Sequence, residues 1–254
     1  MRLVKLITFF AIINILVPST VFAQPKQFKA LLITTTNGWH HESVHYGVVA
    51  LKELAIKNYF DLVLFENPNG FTDQYLKQFQ VVIFLNTTGN IFDSAQQKTM
   101  ERFIKSGKGF VGIHSASDTE YDWDWYTKLV GRMFHIHPAI QTAKLNILDA
   151  SFPGLQGFAN NKLWTDEWYE FSPEKISGLN YVLAVDESTY EAKVQWGEKK
   201  GTGMGKLHPV AWYQNYDGGR SFYTALGHLP AIYSDAAFLN HLHAGILWAA
   251  TGKK

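Results

Sequence analysis

The stretch that decides the fold is "GKGFVGIHSASDTEYDW", Gly107–Trp123. Its first half, Gly109–Ile113, is an unbroken apolar run, the pattern of a strand covered on both faces of a parallel sheet. Its second half turns abruptly polar, and the first residue of the turn is His114. A strand that ends this sharply lifts the side chain at the turn over the sheet edge, as a nucleophile elbow does. The G-x-S-x-G form of that elbow fails here, because Ile113 and Ser117 occupy the glycine positions around Ser115.

The same rhythm extends upstream. Strands are expected at Lys29–Thr34, Phe60–Phe65, Val81–Leu85 and Gly109–Ile113. Between them "SVHYGVVALKELAIKN", "TDQYLKQF" and "SAQQKTMERFIKSG" have helical character, with Ser94 as N-cap of the last. Alternating strand and helix imply βαβ units, a mainly parallel sheet and right-handed crossovers. Downstream, "HPVAWYQNYDGGRSFYTALGH" reads as two strands joined at Asp217-Gly218-Gly219, a hairpin signal. The final "DAAFLNHLHAGILWAAT" reads as an apolar helix ended by Gly252. Further strands are expected at "TAKLNIL" and "NYVLAVD", with the polar-aromatic "WTDEWYEF" between them. The glycine-rich "GEKKGTGMGK" lacks phosphate-loop spacing and reads as a mobile surface loop. No repeat or linker divides residues 24–254, which read as one domain.

The first 23 residues, "MRLVKLITFFAIINILVPSTVFA", combine a basic start, a short apolar run and a small-residue end. They are expected to be a Sec-type signal peptide cleaved before Gln24, which implies a periplasmic or secreted protein. The apolar run is short for a membrane span, so no stable membrane anchor is expected. The chain has no cysteine, which excludes disulfides, thiolate nucleophiles and thiolate metal ligands. Removing Arg2 and Lys5 from the 23 basic residues leaves 21 against 22 acidic ones, a balance that gives no sign of nucleic-acid binding. Abundant tryptophan and tyrosine suit either core filling or a pocket that stacks rings on sugar faces.

In open parallel sheets, ligands bind beyond the carboxyl ends of the strands. Trp39, His40, His41 and Glu42 follow the first expected strand, Asn86 and Thr87 the third, and His114, Ser115 and Asp118 the fourth. His135, His137, Glu167, His208 and His228 also fall at expected strand ends and turns. His114 either tightens its turn by bonding a backbone carbonyl or faces a cleft. Strand alternation in Phe134-His135-Ile136-His137-Pro138 puts both histidines on one face, a spacing open to a divalent metal such as zinc. The alternative is one pocket histidine and one surface histidine. Glu167 lies among Asp166, Trp168 and Glu170, where aromatic neighbours are expected to push its carboxyl up and fit it for general acid or base work. The alternative is a solvated acidic turn. His241 and His243, two apart on a helix, face different directions and are structural, and Asp122 and Asp124 begin a helix.

"TTTNGWHHES", "GIHSASDT" with "WDWYTKLVGRMFHIHP" after it, "DEWYEF", and the hairpin running into "HAGILWAATG" occur in this order over nearly all of residues 24–254. In that order they resemble the ThuA-like (trehalose-utilisation) family of the class I glutamine amidotransferase-like superfamily. The amidotransferase elbow is G-x-C-x-G, and Gly112-Ile113-His114-Ser115-Ala116 puts His114 at the cysteine position. Glutamine hydrolysis through a thioester is therefore excluded. The resemblance implies an α/β, flavodoxin-like three-layer sandwich with a mainly parallel central sheet, extended by the C-terminal hairpin and helix. It also implies a role in sugar catabolism and a pocket drawn from His40, His41, His114, His137, Glu167, His208, Trp212 and His228.

The expectation is a secreted carbohydrate-processing protein, a hydrolase or lyase acting on a sugar or a 3-keto glycoside. His114, Glu167 and His208 would be catalytic. Trp39, His40, His41, Asn86, Ser115, Trp168, Trp212 and His228 would bind the substrate, and His135 and His137 a metal. The competing expectation is a non-catalytic sugar-binding protein in which Trp39, Trp168 and Trp212 stack on rings. A scaffold domain is the third.

Overall fold

The four apolar runs of the first half form strands within a residue or two of their expected bounds, separated by helices. In order these are β1 (Lys29–Ile33), α1 (Ser43–Lys57), β2 (Asp61–Leu64), α2 (Asp73–Leu76), β3 (Val81–Leu85), α3 (Ser94–Lys105) and β4 (Gly109–Ile113). The structure is a computed structural model that describes residues 25–172 and 178–254; the leader expected at residues 1–23 lies outside them. After β4 come α4 (Asp124–Val130), β5 (Phe134–Ile136), β6 (Gln141–Ile147), β7 (Lys162–Asp166), β8 (Glu170–Phe171) and β9 (Asn180–Asp186). The chain continues through β10 (Val194–Trp196), β11 (Lys199–Gly201), β12 (His208–Tyr216) and β13 (Gly219–Thr224) to α5 (Ala236–Thr251). Among the described residues, no helix is long and apolar enough to cross a membrane.

Nine strands form one sheet in the order β2-β1-β3-β4-β13-β12-β9-β6-β7. From β2 to β13 every pairing is parallel, and from β13 to β7 every pairing is antiparallel. The expected mainly parallel sheet is therefore mixed. The hairpin causes this: a two-residue turn at Asp217 and Gly218, both with positive φ, folds β13 back on β12. That conformation matches the strand twist and favours Asp-Gly. β13 then slots beside β4 and hands the sheet over to antiparallel growth.

Strand alternation sends successive residues to opposite faces, each covered by helix. Phe110 packs on Tyr126 of α4 and the Ser221 hydroxyl donates to the Leu129 carbonyl of the same helix. Gly109 and Phe222 face α5 instead, where the backbone at Ala249 comes so close that a Cβ on Gly109 would lie 2.2 Å from its carbonyl oxygen. α3 begins with a capping box in which Asp93, not Ser94, is the N-cap and Gln96 closes the return bond. α5 begins at Asp235, whose carboxylate accepts from Ala237 and Phe238, and ends at Gly252 in the left-handed region.

The glycine-rich segment differs from the mobile loop expected. Its first part forms the second strand of a separate two-stranded hairpin, β10–β11. Its remainder is tied down: the Gly203 N–H donates to Glu170 at 2.8 Å, and the Met204 and Gly205 N–H groups donate to Glu187.

Candidate functional site

β1, β3, β4 and β13 run parallel, so their carboxyl ends share one edge of the sheet. His41 follows β1, His114 ends β4, and His228 follows β13. The turn after β4 has the form of an elbow. His114 has a φ of 50°, a left-handed conformation that a non-glycine residue holds only when its surroundings over-determine it. Here the ring Nδ1–H donates to the Ala225 carbonyl at 2.8 Å, while the His114 carbonyl accepts from the Tyr223 hydroxyl at 2.7 Å. Gly112 leaves the room this needs, because a Cβ there would sit 3.0 Å from the Tyr223 ring and 3.1 Å from Ala116.

With its proton on Nδ1, His114 presents a lone pair at Nε2. The Tyr169 hydroxyl, 2.9 Å away, donates to that nitrogen when no cation takes its lone pair. His228 Nδ1 lies 3.2 Å from it and Glu167 Oε2 3.4 Å. Glu167 is placed by its neighbour: the buried Asp166 carboxylate accepts the backbone N–H of Gly227 at 3.0 Å, of His228 at 3.2 Å and of Glu167 at 2.9 Å. Asp166 thereby ties the end of β7 to the segment after β13.

Glu167 Oε2 lies 3.1 Å from His228 Nδ1, and Oε1 lies 3.1 Å from His137 Nε2. His137 Nδ1–H donates to the Pro138 carbonyl at 2.8 Å, so its Nε2 turns a lone pair towards the carboxylate. Two electron pairs facing each other at that distance call for a proton or a metal cation between them. The ligand atoms of His41, His114, Glu167 and His228 all lie within 4.8 Å of one another, a group that could hold a metal ion.

Burial opposes ionisation of Glu167, but its close contacts with His114 and His228, at 3.4 and 3.1 Å, outweigh it and hold the carboxyl well below the usual range. This reverses the raised value expected from its aromatic neighbours. Burial, reinforced by His114 and His228, pushes His41 down to about 2, so its ring is neutral. Burial also lowers His137. For His228 burial acts the same way, yet the hydrogen bond and charge of Glu167 prevail and raise it. Burial raises Asp166 and Asp118.

His41, His137, Glu167 and His228 form the floor of a cavity of about 510 Å³, with His114 and Asp166 buried behind them. Trp39, Phe134, Tyr169 and Trp196 form aromatic walls, and Asp118 completes the lining.

Other anticipated residues lie elsewhere. Trp168 and Trp212 are buried, their indole N–H groups donating to the carbonyls of Gln141 and Val130; they offer no face to the cavity. Asn86 is buried and donates to the Ser43 hydroxyl at 2.8 Å, and Ser115 is buried against His41 at 3.3 Å. His40 is exposed and bonds Thr36. His135 and His137 do not share a ligand: β5 ends at Ile136, and His135 Nε2–H donates to the Lys200 carbonyl at 3.1 Å. His208 sits behind the site, its Nε2–H donating to the Tyr169 carbonyl and its Nδ1 meeting Glu187, both at 2.8 Å. It positions Tyr169 and does not line the cavity.

Asp166, Tyr169, Phe134 and Trp196 were not anticipated as site residues. Asp166 and Tyr169 flank Glu167 in "TDEWY", where the acidic pair was a usable signal. Trp196 stands in a stretch without strand pattern, and its place at the cavity depends on the hairpin fold.

A family profile described as ThuA, trehalose utilisation, matches residues 29–249. Among solved structures, a ThuA-like protein of Bacteroides uniformis superposes with a TM-score of 0.73 at 22% identity, covering 92% of this chain and 95% of that one. A ThuA-like protein of Parabacteroides merdae gives 0.69 at 21% identity, covering 91% of each chain. The fold also matches part of a β-galactosidase of Bacillus circulans sp. alkalophilus, with a TM-score of 0.54 at 15% identity over 87% of this chain and 31% of that one. None of the curated proteins compared matches in sequence.

Proposed function

The chain belongs to the ThuA family of trehalose utilisation, and on that premise we propose that it is a carbohydrate-processing enzyme with a divalent cation, such as zinc, in its His/Glu cluster. Its substrate is a sugar or glycoside, 3-keto glycosides included. The observation that carries this is the convergence of His41, His114, Glu167 and His228, three of them at the floor of a cavity of ligand size and His114 buried directly behind them. A tetrahedral ion with bonds of about 2.0–2.2 Å holds its ligand atoms roughly 3.3–3.6 Å apart. The separations among His114 Nε2, His228 Nδ1 and Glu167 Oε2 are 3.2, 3.1 and 3.4 Å, close to that spacing.

A bound cation would supply Lewis-acid polarisation of a substrate oxygen. The chain's own groups do the rest. Glu167 Oε1 is the base for a C–H made acidic by a neighbouring carbonyl, and His137 beside it, partly open to the cavity, carries the proton onward. In a 3-keto glycoside, loss of that proton lets the glycosidic oxygen leave with its electron pair and take up a proton as the free alcohol. A sugar-binding protein without turnover is the second reading, supported by the aromatic walls alone.

The test is an assay of purified protein on glycosides and their 3-keto derivatives, with and without added divalent metal. Turnover that disappears in Glu167→Gln supports the enzyme. Binding without turnover, unchanged in kind by His114→Ala, supports the sugar-binding protein, and no turnover on any of these compounds overturns the enzyme.

The same proposal extends to three broader points. The strand order β2-β1-β3-β4-β13 supports a flavodoxin-like parallel half. Residues 24–254 form one domain, and the leader-like first 23 residues support a periplasmic or secreted location.

A further inference from the structure

Trp39 and Trp196 are large apolar side chains left 72% and 43% exposed, and both stand at the rim of the same cavity. They come from opposite halves of the molecule. Trp39 lies in the loop after β1, which is fastened to Thr88: the Asn37 N–H donates to the Thr88 carbonyl at 2.8 Å, the Gly38 N–H to its hydroxyl at 3.1 Å, and that hydroxyl donates to the Trp39 carbonyl at 3.0 Å.

Trp196 ends β10, on the hairpin that stands outside the nine-stranded sheet. That hairpin is moored on its β11 side. His135 donates to the Lys200 carbonyl, Glu170 accepts the Gly203 N–H, and Glu187 accepts those of Met204 and Gly205. Glu187 also meets His208, which holds Tyr169 by its carbonyl, and the Tyr169 hydroxyl in turn meets His114. The mooring thus runs without a break from the hairpin to the cluster on the cavity floor. Trp196 adds an edge contact to His137, with ring centroids 4.6 Å apart.

We propose that Trp39 and Trp196 form an outer subsite that holds the second ring of a two-ring glycoside while its first ring lies over the His/Glu cluster. The subsite rests on the carbohydrate reading of the cluster. Its chemistry is recognition of a flat apolar ring face, which a second pyranose or an aromatic aglycone both offer, and fixed tryptophans supply that surface at low entropy cost. The polar floor and the aromatic rim divide the cavity between one ring to be acted on and one to be gripped. Fastening both tryptophans to the frame that positions the cluster fixes the distance between the two subsites.

The test is a binding titration of the intact protein with three ligands: a disaccharide, an aryl glycoside and the matching one-ring methyl glycoside. The readout is the affinity advantage of each two-ring ligand over the one-ring compound. Trp196→Ala and Trp39→Ala should each cut that advantage by about tenfold, and Trp196→Phe should restore part of it. A loss confined to the disaccharide or to the aryl glycoside identifies which second ring is held. An advantage unchanged in both alanine variants, with wild-type binding intact, overturns the subsite and leaves the carbohydrate reading standing. Wild-type protein that binds none of the three ligands overturns both, and the assay on 3-keto glycosides then shows whether the enzyme reading survives.

Discussion

The parallel and antiparallel halves of the sheet contribute to the cavity in different ways. β1, β3, β4 and β13 are buried between the helices, and the site residues this half supplies, Trp39, His41, His114, Asp118 and His228, all follow strand carboxyl ends. From β12 to β7, together with the small strands beside them, the chain supplies Glu167, His137, Tyr169 and Trp196 from short strands and connections. The parallel half fixes where a site must be. The antiparallel half adds the carboxylate and most of the aromatic wall.

The sharpest way to break this division is to damage the parallel frame. A Cβ on Gly109 would meet the Ala249 carbonyl oxygen at 2.2 Å, and neither β4 nor α5 can give way without moving the elbow at its far end. Gly109→Val is expected to cost at least about 3 kcal/mol of stability, read as a fall in the denaturation midpoint. An unchanged midpoint would show that the frame is softer than its packing.

A smaller effect is expected where the halves are joined. Asp166→Asn turns one of the two acceptor oxygens into an NH2 donor, which must face either the Gly227 N–H or those of His228 and Glu167. It should cost about 1–3 kcal/mol, and it should lower turnover more than stability, because His228 and Glu167 lose their shared anchor. Equal activity in Asp166→Asn and the wild type would show that the halves register without this tie.

The smallest effect concerns a group far from the cavity. His241 on α5 is fully buried against Phe158 and Phe222, neither ring nitrogen has a hydrogen-bond partner among the described residues, and burial pushes it down to about 3. The unfolded chain binds this proton below about pH 6.5 while the folded chain refuses it until about pH 3, so stability falls as pH drops through that window. Near pH 5 the penalty is about 2 kcal/mol. His241→Leu should be more stable than the wild type there, with the difference shrinking towards neutral pH in denaturation curves. Parallel curves for the two proteins would contradict the buried neutral ring.

The two halves also differ in how much of them the sequence reveals. Runs such as Val81–Leu85 and Gly109–Ile113 are apolar throughout because both faces are covered, so their strands are legible to the residue. The Asp217-Gly218 turn is legible because few residues tolerate positive φ at both positions. His114 is legible because it stands at the end of such a strand. What β13 pairs with is not legible: its parallel pairing with β4 is a long-range choice that turns the sheet from parallel to mixed. Trp168 and Trp212 look like Trp39 and Trp196 in sequence, and only packing separates core indoles from rim ones. The reversed direction at Glu167 has the same origin, since the histidines that lower its carboxyl come from distant segments.

The most direct test is a calorimetric zinc titration of metal-stripped protein, comparing the wild type with Glu167→Gln and His114→Ala. The geometry predicts one equivalent bound by the wild type, with affinity reduced by more than about a hundredfold in each variant, beyond the loss typical of an outer-shell partner. A wild type that binds no zinc, or variants that bind it as tightly as the wild type, would contradict a metal centre where the two halves of the sheet meet.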